Sequence, residues 1–264
     1  MKIKCISTDH YRIPLPVVLS DSTHGEISAF ELVCVRITDT DGVTGSGYTY
    51  TVGRGGAAIH ALIERDMAPD LIGRDADRIE AIWKLLWWRL HYVGRGGLAA
   101  HALSAIDIAL WDLKARRLKE PLWRLLGGAD PKVKAYAGGI DLYFTLEDLL
   151  RQTDGNLEKG FRAIKMKVGR SETCDDVARV SAMRKHLGDG FPLMVDANMG
   201  WTVDQAIRAA RAFREFDLVW LEEPTIPDDF AGHTRILSEV GVPIAAGENL
   251  HSIHEFEHLM AANG

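Results

Sequence analysis

The chain has 264 residues, a formal charge of −6, and an ordinary globular balance of 47% hydrophobic and 26% charged residues. That balance gives no reason to expect nucleic acid, whose binding faces need clustered Lys and Arg. No apolar run approaches the roughly 18–20 residues that cross a bilayer.

The start, MKIKCISTDHYRIPL, lacks the apolar core of a signal peptide. Cys5, Cys34 and Cys174 show no C-x-x-C spacing, so free thiols in a cytoplasmic protein are expected. Residues 31–38 (ELVCVRIT) are apolar and β-branched, Asp41-Gly42 marks a turn, and 45–52 reads as the return strand. Helical patterns follow at 56–68, 76–92 and 97–118, the last with apolar residues three and four apart. Strands followed by helices predict an α+β domain over 1–128. From about residue 130 the pattern changes. Short apolar runs at 133–138, 163–168, 192–197, 218–223 and 242–248 each precede a helical segment. Such βα alternation predicts a parallel sheet over 129–264, in a barrel or a doubly wound fold. Five units are visible, and an eight-stranded barrel needs three more.

Asp196, Glu222 and Glu248 end three successive expected strands, and neighbours in this series are 26 residues apart. A single acid at a strand end commonly caps the next helix. Equal spacing of three sets the carboxylates side by side on one rim, which in βα barrels is the active-site face. Three such carboxylates repel one another, and a hard divalent cation such as Mg²⁺ resolves the conflict. Lys165 and Lys167 stand two apart on a strand and so share a face. Desolvation and a neighbouring cation are expected to lower a lysine's pKa there, which makes it a proton acceptor. The alternative places both lysines outward, beneath a helix or at an edge.

KMK at 165–167, VDAN at 195–198, LEEP at 221–224, GEN at 247–249 and the stretch SAIDIALWDLKARRLKEPLWRLLGG at 104–128 occur in order. In these motifs the chain resembles the enolase superfamily, mandelate racemase subgroup, from about residue 2 to 264. The resemblance implies an α+β capping domain over a modified (β/α) barrel. It implies Mg²⁺ held by Asp196, Glu222 and Glu248, with Lys167 as base and Lys165 assisting. Asn198 matches a position that contacts substrate near the metal. Two capping-domain loops, at about 16–26 and 50–56, would close over the substrate and carry Asp21, His24, Tyr50 and Arg54. The implied reaction removes the α-proton of a small hydroxy-carboxylate, whose enediolate the metal stabilises. The subgroup also carries a His–Asp dyad on its sixth and seventh barrel strands and an acid on the eighth. Those strands lie beyond residue 264, so the chain reads as a fragment of a longer protein.

The wording around 93–112, 193–201 and 218–224 is similar to acid-sugar dehydratases of the talarate/galactarate type, so dehydration of an acid sugar is the expected outcome. Mandelate-type racemisation and cycloisomerisation are the alternatives within the family, and an inactive fragment that only oligomerises is the alternative outside it. Two other motifs compete. Residues 254–258 (HEFEH) match the zinc-protease H-E-x-x-H, but the extended form needs Gly at 261 and His at 264, where Ala261 and Gly264 stand. GRGGAA at 53–58 and GRGGLA at 94–99 fit G-x-G-x-x-A, yet neither lies in a βαβ unit, and tight turns explain both. Trp83, Trp87, Trp88 and Tyr92 fall at helical spacing and are expected to pack on the barrel or on a second copy in a homo-oligomer.

Overall fold

Alternation of apolar and polar residues builds the first sheet. The computed structural model describes residues 1–262; Asn263 and Gly264, the end of the expected second domain, lie outside the described residues. Strands β1 (Ile3–Asp21), β2 (Gly25–Asp39) and β3 (Thr44–Thr51) form a sheet in that order. Val33, Val35 and Ile37 of β2 are fully buried while their neighbours in sequence are less so. Their antiparallel partners on β3 are Thr49, Gly47 and Gly45. The glycines face the long helix of this unit. A Cβ at Gly47 would lie 2.1 Å from the Ala105 carbonyl oxygen, and one at Gly45 would lie 2.2 Å from that of Ala109. Only bare backbone permits so close an approach.

The helices are α1 (Gly56–Leu62), which runs through a π turn (Ile63–Met67) into α2 (Ala68–Leu71), then α3 (Ile79–Leu90), α4 (Gly97–Leu118) and α5 (Leu122–Leu125). Ala102, Ala105, Ile106, Ala109, Leu110 and Leu113 turn the buried face of α4 into the core. Trp83 and Trp88 of α3 are 41% and 56% exposed within this unit, and Tyr92 is 92% exposed. Strand β1 has no counterpart among the expected elements. Pro14 and Pro16 interrupt its pattern, and few of its positions are buried. The expected loop at 16–26 is also corrected: β1 continues to Asp21, and only residues 22–24 turn before β2.

The second sheet is parallel, in the order β4 (Ala137–Gly138), β5 (Ile164–Lys167), β6 (Leu193–Asp196), β7 (Leu221–Glu222) and β8 (Ile244–Ala245). Helices α6 (Leu146–Glu158), α7 (Thr173–Leu187), α8 (Val203–Phe213) and α9 (Phe230–Val240) lie between successive strands, and α10 (Ile253–Ala261) follows β8. Ile164, Met166, Leu193, Val195 and Leu221 join Val180, Met183, Ala206, Ala209 and Ile236 in one buried cluster. Burying the strands under helices is what a parallel sheet requires. The chain thus has an N-terminal α+β unit and a parallel α/β unit of five strands, each strand followed by a helix. Contacts divide the chain into Met1–Pro16 with Ser28–Lys132, and Val17–Ile27 with Val133–Gly264. The tip of the β1–β2 hairpin therefore groups with the second sheet. Among the described residues no helix is long and apolar enough to cross a membrane.

Candidate metal and proton-transfer site

Parallel register lines up the chemistry. Lys167 on β5 pairs with Asp196 on β6, which pairs with Glu222 on β7, which pairs with Ala245 on β8. Three neighbouring strands thus end on one row: an amine and two carboxylates. Glu248 follows three residues past Ala245, in a turn. Carboxylate oxygens of Asp196, Glu222 and Glu248 all lie within 4.8 Å of one another. Asp196 is buried, Glu222 half-buried and Glu248 exposed, so the cluster opens on one side. A magnesium ion fits this donor set: hard oxygens only, close together, with an open side for water or substrate.

The lysines meet the same acids. Lys167 Nζ donates to Asp196 Oδ2 at 2.7 Å. Lys165 Nζ donates to Glu222 Oε1 at 2.6 Å and stands 3.3 Å from Asp196 Oδ2. Both lysine residues are buried, and their amines meet the strand-end acids instead of lying outward beneath a helix or at an edge. The expected lowering of the pKa does not occur at Lys165. Burial, the largest single influence, pulls its pKa down, but the Glu222 hydrogen bond and the charges of Asp196 and Glu222 outweigh it and hold the pKa above the ordinary lysine value. Neighbouring acids, not the neighbouring amine, decide this group.

Further residues brace the cluster. Trp220 Nε1 donates to Glu222 Oε2 at 2.9 Å, and the Tyr136 ring lies 5.5 Å from Lys165 Nζ. Glu223 is buried and accepts from Asn249 Nδ2 at 2.8 and 3.0 Å, tying the end of β7 to the turn that carries Glu248. Burial pushes the Glu223 carboxyl up, against the pull of Asn249. Trp220 could have been found from the sequence, since it stands two before Glu222 and so shares its face. Tyr136 and the Glu223–Asn249 pair join segments far apart in the chain.

Asn198 adopts a left-handed backbone (φ 41°), its N–H donates to Asp196 Oδ1 at 2.9 Å, and its carbonyl accepts from Ser22 Oγ and Thr23 Oγ1. Its own Oδ1 is buried with no hydrogen-bond partner among the described residues. Asp21 is buried. Its Oδ1 accepts the N–H groups of Thr23 (2.9 Å) and His24 (2.6 Å), and its Oδ2 meets His24 Nδ1 at 2.8 Å. The structure therefore brings the hairpin tip with Asp21 and the β6 end with Asn198 together. Tyr50 and Arg54 belong to the other unit. Tyr50 sits half-exposed on β3 with its ring edge-on to Phe30, and Arg54 is exposed in the turn before α1. Glu31 spans that turn, accepting from Thr51 Oγ1 at 2.9 Å and from the Gly56 N–H at 3.0 Å. His254 and His258 are exposed on α10, and the metal-type set formed among the described residues does not include them.

Two family models match the chain: the mandelate racemase / muconate lactonizing enzyme N-terminal domain over residues 3–127, and the enolase C-terminal domain-like family over 148–264. A 3,6-anhydro-alpha-L-galactonate cycloisomerase of Streptomyces coelicolor is 60% identical over 260 residues, 98% of this chain and 72% of the relative. An L-talarate/galactarate dehydratase of Salmonella typhimurium is 38% identical over 258 residues, 95% of this chain and 64% of the relative. Among solved structures, a racemase from Streptomyces coelicolor with bound magnesium superposes with a TM-score of 0.98 at 60% identity, covering 99% of this chain and 73% of the other. The Salmonella dehydratase liganded with Mg and L-lyxarohydroxamate gives 0.94 at 36% identity, covering 99% and 68%. Magnesium is thus present in homologous structures, and the relatives include dehydratases, cycloisomerases and racemases.

Proposed function

We propose that this chain, which belongs to the mandelate racemase / muconate lactonizing enzyme family of the enolase superfamily, removes the α-proton of an acid-sugar carboxylate with Lys167 as the base. The row Lys167–Asp196–Glu222, with Lys167 Nζ 2.7 Å from Asp196 Oδ2, carries the reading. It sets an amine beside the place where a substrate carboxylate would meet positive charge. Mg²⁺ held by Asp196, Glu222 and Glu248 would supply the charge that stabilises the enediolate. Lys165, kept an ammonium by Glu222 and Asp196, adds a second fixed cation. Asn198 would donate to a substrate oxygen through its amide. Asp21 fixes His24 by Nδ1, which leaves Nε2 for a substrate hydroxyl. Tyr50 and Arg54 are proposed as further substrate contacts on chemistry alone, since a guanidinium suits a second carboxylate and a phenol a hydroxyl.

Dehydration and cycloisomerisation share the first steps. The C2–H bond breaks toward Lys167, its electron pair enters the enediolate, and the C3–O bond then breaks. In dehydration the departing oxygen is a hydroxyl that takes up the proton held by the Lys167 ammonium and leaves as water. In a 3,6-anhydro sugar it is the ring ether, which takes up that proton and becomes the C6 hydroxyl. The 60% identity to a 3,6-anhydro-galactonate cycloisomerase favours the ring-opening variant over the 38% identity to the dehydratase. A cytoplasmic homo-oligomer completes the proposal, supported by the exposed cysteines Cys5 and Cys174 and by the exposed Trp83, Trp88 and Tyr92.

The test is proton exchange. The chain is incubated in D₂O with MgCl₂ and 3,6-anhydro-L-galactonate, galactarate or L-talarate, and NMR follows the α-hydrogen and the products. The wild-type chain is expected to exchange or consume at least one acid, and Lys167→Ala to lose that exchange by at least about a hundredfold. Unchanged exchange in Lys167→Ala removes it as the base, and no exchange in the wild type removes the reading.

A further inference from the structure

At Lys167 the β4–β5 ladder ends in a way that a sheet does not require. The last rung is the Gly139 N–H donating to the Lys165 carbonyl at 3.0 Å. The next rung would engage the N–H and carbonyl of Lys167. Both are instead taken by buried side chains: Asp141 Oδ1 accepts the Lys167 N–H at 3.0 Å, and Arg179 Nη1 donates to the Lys167 carbonyl at 2.8 Å. The two are joined to each other, since Arg179 Nη2 donates to the Asp141 carbonyl at 2.8 Å and lies 3.6 Å from Asp141 Oδ1. Gln152 Nε2 donates to the remaining oxygen, Asp141 Oδ2, at 2.9 Å. Asp141 and Arg179 are 0% and 4% exposed.

The chain leaves β5 at this point because it turns to the hairpin tip. Ser20 N–H donates to the Ile140 carbonyl and Leu142 N–H to the Ser20 carbonyl, at 3.1 and 3.0 Å. Asp141 therefore reaches back with its side chain to the peptide its backbone has left. Gly139 makes room for this, because a Cβ there would lie 1.8 Å from Asp141 Oδ2. A buried ionic pair costs more to assemble than two further ladder bonds, so its placement calls for a purpose. It fixes the two peptide groups that flank the Cα of Lys167, the lysine whose amine reaches Asp196.

We propose that Asp141 and Arg179 are positioning residues for Lys167, clamping the peptide groups on either side of its Cα so that Nζ is held in line for the α-proton. This inference rests on Lys167 being the base. A misplacement of about 1 Å in a reacting group lowers a rate by about a hundredfold. The test uses the full chain with MgCl₂ and whichever of the three acids the wild type turns over. Asp141→Ala removes the acceptor, Gly139→Ala displaces it, and Asp141→Asn restores an acceptor for the Lys167 N–H. The first two are expected to lower kcat about a hundredfold, with KM and calorimetric Mg²⁺ affinity within about threefold of wild type. Asp141→Asn is expected to recover most of the rate. Deuterium uptake at the Lys167 amide should rise in the first two variants and not in the third. If neither of the first two binds Mg²⁺ as a folded chain, Arg179→Lys, which keeps the charge and one donor, is expected to lower kcat about tenfold. Variants that retain the wild-type kcat overturn the clamp, as do losses shared equally by KM and Mg²⁺ affinity. A wild-type chain that exchanges none of the acids overturns the base assignment, and the catalytic purpose of the clamp with it.

Discussion

Asp196→Asn isolates the charge at the centre of the proposed site. Asp196 is 0% exposed, accepts from Lys167 Nζ at 2.7 Å and the Asn198 N–H at 2.9 Å, and lies 3.3 Å from Lys165 Nζ as an ion pair. The amide keeps the volume and removes the charge. Lys165 retains Glu222 at 2.6 Å, whereas Asp196 is the ion-pair partner recorded for Lys167 among the described residues. Stranding one member of a buried pair costs about 3–5 kcal/mol, which lowers the melting temperature by on the order of 10 °C in a chain this size. The effect on Mg²⁺ has the same origin. Ligand oxygens that lie within 4.8 Å of one another hold a shared ion within a few ångströms of each carboxylate. A carboxylate about 4 Å from a dication is worth about 8 kcal/mol at an effective dielectric near 20, and the amide oxygen that replaces it recovers only part of this, so affinity should fall at least about a thousandfold. Scanning calorimetry with and without MgCl₂, paired with isothermal titration, reads both effects. Wild type should gain melting temperature with Mg²⁺ and the variant should not. A variant that binds Mg²⁺ within tenfold of wild type refutes the ligand assignment.

Two further substitutions probe the first unit. Gly47→Ala would drive a Cβ to 2.1 Å from the Ala105 carbonyl oxygen and 2.6 Å from the Ala109 nitrogen, both backbone of α4. A loss of at least about 3 kcal/mol is expected, read from the urea midpoint, and an unmoved midpoint disproves the packing. Glu31→Gln tests pH dependence. The Gly56 N–H and then the Thr51 hydroxyl hold the Glu31 carboxyl below the ordinary glutamate range. A depressed folded-state pKa contributes stability above the unfolded value of about 4.3, and that contribution is lost as pH falls through the folded value. The stability gap between wild type and Glu31→Gln should therefore close on acidification below about pH 5. A gap of constant size down to pH 3 contradicts the assignment.

Much of the site could be read from local pattern. Equal spacing of Asp196, Glu222 and Glu248 reflects one βα unit per strand, and the unit length carries the register. The period of two made Lys165 and Lys167 share a face. The strands themselves were less legible. Residues 133–138 suggested six strand positions and β4 has two, because only Ala137 and Gly138 pair with β5, while residues 133–136 are exposed ahead of it. Strand β1 went unrecognised because few of its positions are buried and two prolines break its alternation.

Residue types and their periods therefore determined the two-part α/β architecture, the acid trio and the lysine pair, since these depend on neighbours one turn or one strand away. Tertiary structure decided what depends on segments distant in the chain. Residues 17–27 group with the second sheet through Ser20, and Glu223 meets Asn249 across two strands. Lys165 titrates upward because Glu222, 57 positions away, sits 2.6 Å from its amine. Charge and hydrogen bonding act through space, and their partners are set only when the sheet closes its register.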